Sequence, residues 1–438
     1  MTILVIFSKE LPKKSKKWWQ QFDRVITSHN LKEKILIRGL SFVDIETLVS
    51  PGSVQQAYEL VNNISCLTLP DGSRLSKLIN YQGYELWWMH YDSIYKKFCL
   101  PYTQYTDLLF YLKNFENVYL FRPPHPDLFR YYLKTYGRRY HFLGQVLWKK
   151  LLPLPFGVFI QLVLSLFFLP WLMVRRSKLM VFTSDKFDPP NDYDFRYKFI
   201  YHELRKRQIP FAEFIRSLEP WRIILQLAWR RKRPVIYSAA IIYFVHLFAG
   251  LFLRKKIPAG DFWSKVAIHY LLNIRGTIWS IGALKLILKL IGIKSAIITT
   301  GCERTFHEIL ACKLTGIPIV GIQHGAKARY SSICDFMPGF DGGKILMPDQ
   351  FGVWSNWWQD HYIKNSHAFK PEQLYVSGAM RPLKEKSPFQ ELKTGPLRVL
   401  FISEQLVAPQ EVMPYLLTIL GAEDFKLFLK FRPYRDGF

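Results

Sequence analysis

The chain has 438 residues, of which 49% are hydrophobic and 16% aromatic. That is enough for two or three domains with large cores and excludes wholesale disorder. Sixty Lys and Arg against 34 Asp and Glu leave a formal charge of +26, which calls for anionic surroundings: nucleic acid, anionic lipid or phosphorylated substrates. Cys66, Cys99, Cys302, Cys312 and Cys334 are scattered and form no CxxC pair, so a disulfide framework and a zinc ribbon are excluded and a reducing cytosol fits best.

Residues 1–7 are apolar, but no basic stretch precedes them, so they predict a first β-strand rather than a secretory signal. Residues 35–37 and 118–121 predict further strands in an N-terminal α/β region spanning 1–148. Residues 151–174 are uncharged, preceded by Lys149 and Lys150 and followed by Arg175 and Arg176. As a helix they would be ~36 Å long, enough to cross ~30 Å of hydrocarbon. Pro153, Pro155, Pro170 and Gln161 argue against a simple span, and two basic flanks suit a segment that dips into the membrane from one face. Residues 149–178 are therefore predicted to form a basic-flanked, membrane-associated segment. A second uncharged run, 235–253, reads as a buried strand followed by a core helix, with membrane embedding as the alternative.

A strand at 179–183 and a helix at 195–207 open an α/β region that continues to residue 384. Its clearest unit is a strand at 295–299, a helix at 304–314 and a strand at 317–322, a βαβ motif of a parallel sheet. Short strands follow at 374–377, 397–403 and 426–431, with a helix around 412–420 and a linker at 382–396. The Lys and Arg residues cluster beside the apolar runs and no nucleic-acid motif is present. Anionic membrane surface is therefore the predicted partner of the charge, and nucleic acid is not.

In open parallel sheets chemistry gathers at the carboxyl ends of the strands. Two loops qualify, one holding Gly301 and Glu303, the other Gln323, His324 and Gly325. His324 can take a proton from a hydroxyl nucleophile or donate to a phosphate. Its alternative is a core histidine bonded to a neighbouring loop. Glu303 can act as a base or orient His324, or simply face the dipole of the next helix. Arg381 can fork onto a diphosphate, or be an exposed turn residue. Lys430 and Arg432 close the last strand and can also meet phosphate. His307-Glu308 is followed by Ala311 where HExxH requires histidine, so a zinc protease is excluded and no metal site is predicted. GxxxxGK[ST], GxGxxG after a strand and GxSxG are all missing.

Gly321-Ile322-Gln323-His324-Gly325, then Met347-Pro348-Asp349-Gln350-Phe351-Gly352-Val353-Trp354 with Trp357, Trp358 and Asp360, then Tyr375-Val376-Ser377-Gly378-Ala379-Met380-Arg381, occur in that order. The set resembles GT-B glycosyltransferase-like proteins of bacterial surface carbohydrate synthesis, such as capsule and lipopolysaccharide enzymes, and the related teichoic-acid glycerophosphate polymerases. Tyr84-Glu85-Leu86-Trp87-Trp88-Met89 also resembles an N-terminal segment of a surface carbohydrate family.

The resemblance implies an α/β, GT-B-like fold of two facing Rossmann-like domains. It implies transfer from a nucleotide-sugar to a lipid-linked or polysaccharide acceptor with neither metal nor cofactor, on the cytoplasmic face of a bacterial inner membrane. His324 would be the acceptor-side base or a phosphate contact, and Arg381 would lie near the hinge and donor. Where the family pattern has K-x-H-P, this chain reads Lys430-Phe431-Arg432-Pro433. The donor domain, from residue 396 to 438, is expected to be incomplete and the chain a fragment of a longer protein. Two other functions stay open: a non-catalytic glycan-assembly or carbohydrate-binding protein, and a glycerophosphate-type polymerase.

Overall fold

In the first 143 residues five strands pair entirely in parallel. They are β1 (Thr2–Ile6), β2 (Arg24–Thr27), β3 (Ser41–Asp44), β6 (Asn117–Phe121) and β7 (Arg139–Leu143), ordered β3-β2-β1-β6-β7. A small antiparallel hairpin, β4 (Asn80–Tyr81) and β5 (Tyr84–Glu85), stands apart from that sheet. The structure is a computed structural model. It describes residues 1–68, 72–144, 156–184, 197–216, 221–231, 234–252, 260–298, 305–323, 344, 346–378, 397–402, 409–422 and 424–430. The chain divides into two units, 1–380 and 381–438.

β1 forms the centre of its sheet because Ile3, Leu4, Val5 and Ile6 are all buried, as a strand covered on both faces requires. Residues 35–37 are not the strand predicted from their apolar side chains. They belong to the end of helix Lys32–Leu36, where Ile35 is buried while Leu36 and Ile37 are exposed. Three apolar residues cannot display a period, and here only one of them faces the core.

A second, seven-stranded parallel sheet follows. It holds β8 (Leu179–Ser184), β9 (Phe211–Arg216), β10 (Val235–Ile236), β11 (Ser295–Ile298), β12 (Ile319–Ile322), β13 (Gln350–Val353) and β14 (Leu374–Val376), ordered β10-β9-β8-β11-β12-β13-β14. Both sheets start in the middle, grow to one side, and then reverse. Their switch points lie between β1 and β6 and between β8 and β11, where the outgoing loops diverge and leave a crevice. The run at 235–253 resolves into β10 and helix Ser238–Phe252. The helix predicted at 195–207 is Lys198–Lys206, with Tyr201 and Leu204 turned inward.

A 30-residue helix, Phe262–Ile291, joins the two sheets' surroundings. Asp261 caps its start by accepting from the Ser264 N–H at 2.8 Å, and Gly292 ends it in the left-handed conformation. Phe262 packs against Tyr102 and Tyr132 of the first lobe, and the Tyr270 hydroxyl meets that of Ser93 at 3.1 Å. At Gly276 a Cβ would come within 2.6 Å of the His246 ring, so only glycine allows helix Ser238–Phe252 to approach this closely.

The unit 381–438 contains β15 (Leu397–Ile402) and β16 (Phe425–Lys430), paired in parallel, and helix Pro409–Leu420. Among its described residues only Leu416 is buried.

Candidate active site

Gln323 is the first residue beyond β12 and is 1% exposed. Its backbone N–H donates to Gly352 O at 2.9 Å, its side-chain Oε1 accepts from Trp354 N–H at 3.1 Å, and its carbonyl accepts from the Trp354 indole at 2.8 Å. These bonds knit together the carboxyl ends of β12 and β13. Gln323 therefore acts as a clamp for the loop that leaves the sheet, with its amide oxygen committed to the fold. His324, Gly325, Gly301, Glu303, Arg381 and Arg432 lie outside the described residues. Lys430 ends β16 and is exposed in the smaller unit.

The same edge of the sheet carries a cluster that sequence reasoning passed over. His307 and Glu308 occupy the first turn of helix Phe306–Lys313, which follows β11. Arg216 ends β9, and Ser238 lies two residues beyond β10. Ser238 and Arg216 lie beside the Glu308 carboxyl and stabilise its ionised form. Burial outweighs both and raises its pKa from 4.5 to about 7. Glu308 Oε2 and His307 Nε2 have no hydrogen-bond partner among the described residues.

His307 is fully buried, and its pKa falls to about 3, first through burial and then through His246, His90 and Arg216. Its ring stands 5.9 Å from that of His246. His90 completes the group from the first lobe. It is held neutral in the same way, with a pKa of about 3, through burial, His246, His269 and Lys97. The segment that delivers His90 is Leu86–His90, pinned by Trp87 Nε1 donating to Ser65 Oγ at 2.8 Å and Trp88 Nε1 donating to Glu85 Oε2 at 2.6 Å.

A carboxyl that titrates near neutrality, beside neutral imidazoles and a fixed guanidinium, can hold a proton or give it up at physiological pH. No group of three or more His, Cys, Asp or Glu side chains suited to a metal occurs among the described residues.

The apolar run at 151–174 forms helix Phe156–Arg175 from residue 156 onward. It is the one helix among the described residues long and apolar enough to cross a membrane. Its inward side is partly polar and firmly attached. Ser165 Oγ accepts from Tyr237 N–H at 2.8 Å and donates to Gln161 O at 2.8 Å. Its outward side exposes Phe159, Val163, Leu166, Phe167, Trp171 and Val174. Helix Trp221–Arg231 extends that surface with Ile223, Leu225 and Trp229, and the rings of Phe156 and Trp221 meet edge to face at 5.4 Å.

No protein-family model matches this chain, and no curated protein is significantly similar to it.

Proposed function

We propose that the chain is a GT-B-like glycosyltransferase of cell-surface glycan assembly. It moves a sugar from a nucleotide-activated donor to a lipid-linked or polysaccharide acceptor at the cytoplasmic face of a bacterial membrane. The observation that carries the reading is the carboxyl edge of the second sheet. There a neutral-range acid, Glu308, stands in the first turn of the helix that follows β11, and β11 pairs with β12, the strand that Gln323 follows directly. Glycosyl transfer needs one group to take the acceptor's proton and cationic groups to hold the departing diphosphate. Glu308 or His324 suits the first task, and Arg216 suits the second. The ordered motifs from Gly321 to Arg381 support the same reading.

The attached helix suggests how a lipid acceptor is reached. Helix Phe156–Arg175 is bonded to the fold through Ser165, which accepts from Tyr237 N–H, so it lies along the bilayer surface with its aromatic side inserted and Arg175 and Arg176 at the headgroups. Residues 156 and 221 begin their helices near the carboxyl end of the sheet, which brings the lipid-facing surface to the side where chemistry is expected.

The test uses the full chain with vesicles, radiolabelled nucleotide-sugars and extracted lipid acceptor. Wild type should incorporate label, and Glu308→Gln and His324→Ala should each lower kcat at least a hundredfold. Equal incorporation by all three would exclude the assigned roles. Phe167→Ser with Trp171→Ser should release the protein from phosphatidylglycerol vesicles while leaving its melting temperature unchanged. Retention on the vesicles would exclude the proposed orientation.

A further inference from the structure

The carboxyl edge of the first sheet is open where that of the second is closed. A cavity of about 370 Å³ lies there, lined by Ile6, Phe7, Ser8, Lys9, Ser28 and Asn30 from the ends of β1 and β2, and by Glu46, Val49 and Tyr105. A second cavity, of about 380 Å³, adjoins it through Lys9 and is walled by Lys13, Lys14, Lys34 and Arg38. Each is within the size range of small-ligand sites, and the first lies beyond the carboxyl ends of β1, β2 and β3, the edge of the sheet at which open α/β folds bind ligands.

The two cavities differ in chemistry. The first has an apolar side made by Val49 and Tyr105, with hydroxyl, amide and carboxylate groups from Ser8, Ser28, Asn30 and Glu46. The second presents five cationic side chains, counting Lys9, against the single acid Glu10. Arg38 is held in place by stacking over Trp19 at 5.2 Å and by donating to Lys34 O. Two backbone features mark the same edge. Tyr105 leaves helical geometry inside helix Leu100–Leu112, with φ −109° and ψ 15°. Arg122, directly after β6, adopts a left-handed φ of 52° that non-glycine residues rarely hold.

We infer that this crevice is a nucleoside diphosphate site, separate from the edge that carries Gln323 and Glu308. The base and ribose fill the first cavity, the base against Tyr105 and the ribose hydroxyls toward Asn30 and Glu46. The phosphates cross Lys9 into the second cavity. Glu46 repels an anion from the first cavity and five cations attract it to the second, which fixes the ligand's direction. The inference uses none of the residues assigned to glycosyl transfer, so each can fail without the other.

Isothermal titration of the full chain with uridine diphosphate, adenosine diphosphate and inorganic pyrophosphate decides it. At least one nucleoside diphosphate should bind in the micromolar range, tenfold or more tighter than pyrophosphate, and more weakly as salt rises. Lys9→Glu should weaken binding at least tenfold, with the melting temperature confirming the fold, because Lys9 is exposed. Three outcomes would overturn the inference: no binding of either nucleotide, pyrophosphate binding equally well, or Lys9→Glu binding unchanged.

Discussion

The two parallel sheets of this protein are wound the same way and end in opposite environments. The carboxyl edge of β1, β2 and β3 opens to water and is ringed with lysine. The carboxyl edge of β9, β10 and β11 is closed over by helix Ser238–Phe252, helix Phe262–Ile291 and the Leu86–His90 turn, and its ionisable groups have lost most of their water. Topology provides a crevice at each switch point, and the loops decide what fills it. Charge at the open edge costs little and acts at a distance, so it suits capture of an anion. At the closed edge the same charge would be costly, so histidines stay neutral and a carboxyl retains its proton near pH 7, which suits proton transfer.

The largest test of that contrast is acid. His90 and His307 have pKa values of about 3 when folded and 6.5 when exposed, so the unfolded chain takes up protons that the folded chain refuses. Their stabilising effect is complete above pH 6.5 and is lost as pH falls toward 3, at ~1.4 kcal/mol per pH unit for each histidine. Glu308 has the opposite sign. Its folded pKa of about 7 exceeds the exposed value of 4.5, so its effect is complete below pH 4.5 and is lost as pH rises through 7. Between pH 4.5 and 6.5 the carboxyl therefore cancels one histidine. Urea midpoints measured across this window should fall with acid. His307→Gln should flatten the slope by one proton, and Glu308→Gln should steepen it by one. Slopes unchanged in both variants would mean that the closed edge is wet. Lys9→Glu, at the open edge, should leave the slope untouched.

Gln323→Leu gives the next largest effect. It removes the acceptor of the Trp354 N–H in a site that is almost wholly buried, at a cost of ~1–3 kcal/mol. Thermal unfolding would show it, and a loss below 0.5 kcal/mol would mean that the β12–β13 clamp is held by the main chain alone.

The sequence made the strands legible where they are central. Residues 2–6, 295–298 and 319–322 are near-continuous aliphatic runs because both faces of a parallel sheet are covered. It misled at 35–37, too short to reveal which side was buried. Gln323 stood out because it ends such a strand, but its role as a clamp depends on Trp354, 31 residues on. His307 and Glu308 were noticed only for failing a zinc motif. Their meaning comes from Arg216, Ser238, His246 and His90, which the chain brings together from three separate elements, and no local pattern encodes that. The available signal was a polar pair opening a helix directly after a buried strand. His90 stood next to the Tyr84–Met89 motif and went unread for the same reason. At the open edge no local pattern links Lys9, Lys13 and Lys14 to the ends of three strands, which form a cavity beside them only in the fold.

The smallest effect sharpens the comparison most, because stability and binding should move in opposite directions. Arg122 holds φ 52° after β6, lies 3.9 Å from Glu10 in an exposed ion pair, and places its guanidinium over the Phe121 ring at 5.2 Å. The exposed pair contributes well under 1 kcal/mol, and the ring contact ~0.5 kcal/mol. Glycine at this position would relieve left-handed strain of ~1 kcal/mol or more while keeping the backbone bond from residue 122 to Leu143 O. Arg122→Gly should therefore leave the melting temperature equal or slightly higher. If arginine is present there for its charge, at the rim of the open edge, the same variant should weaken uridine or adenosine diphosphate binding several-fold, and more at low salt than at high. A variant that loses stability and keeps its nucleotide would make Arg122 a packing residue. The lysine ring would then have to account for anion capture without it.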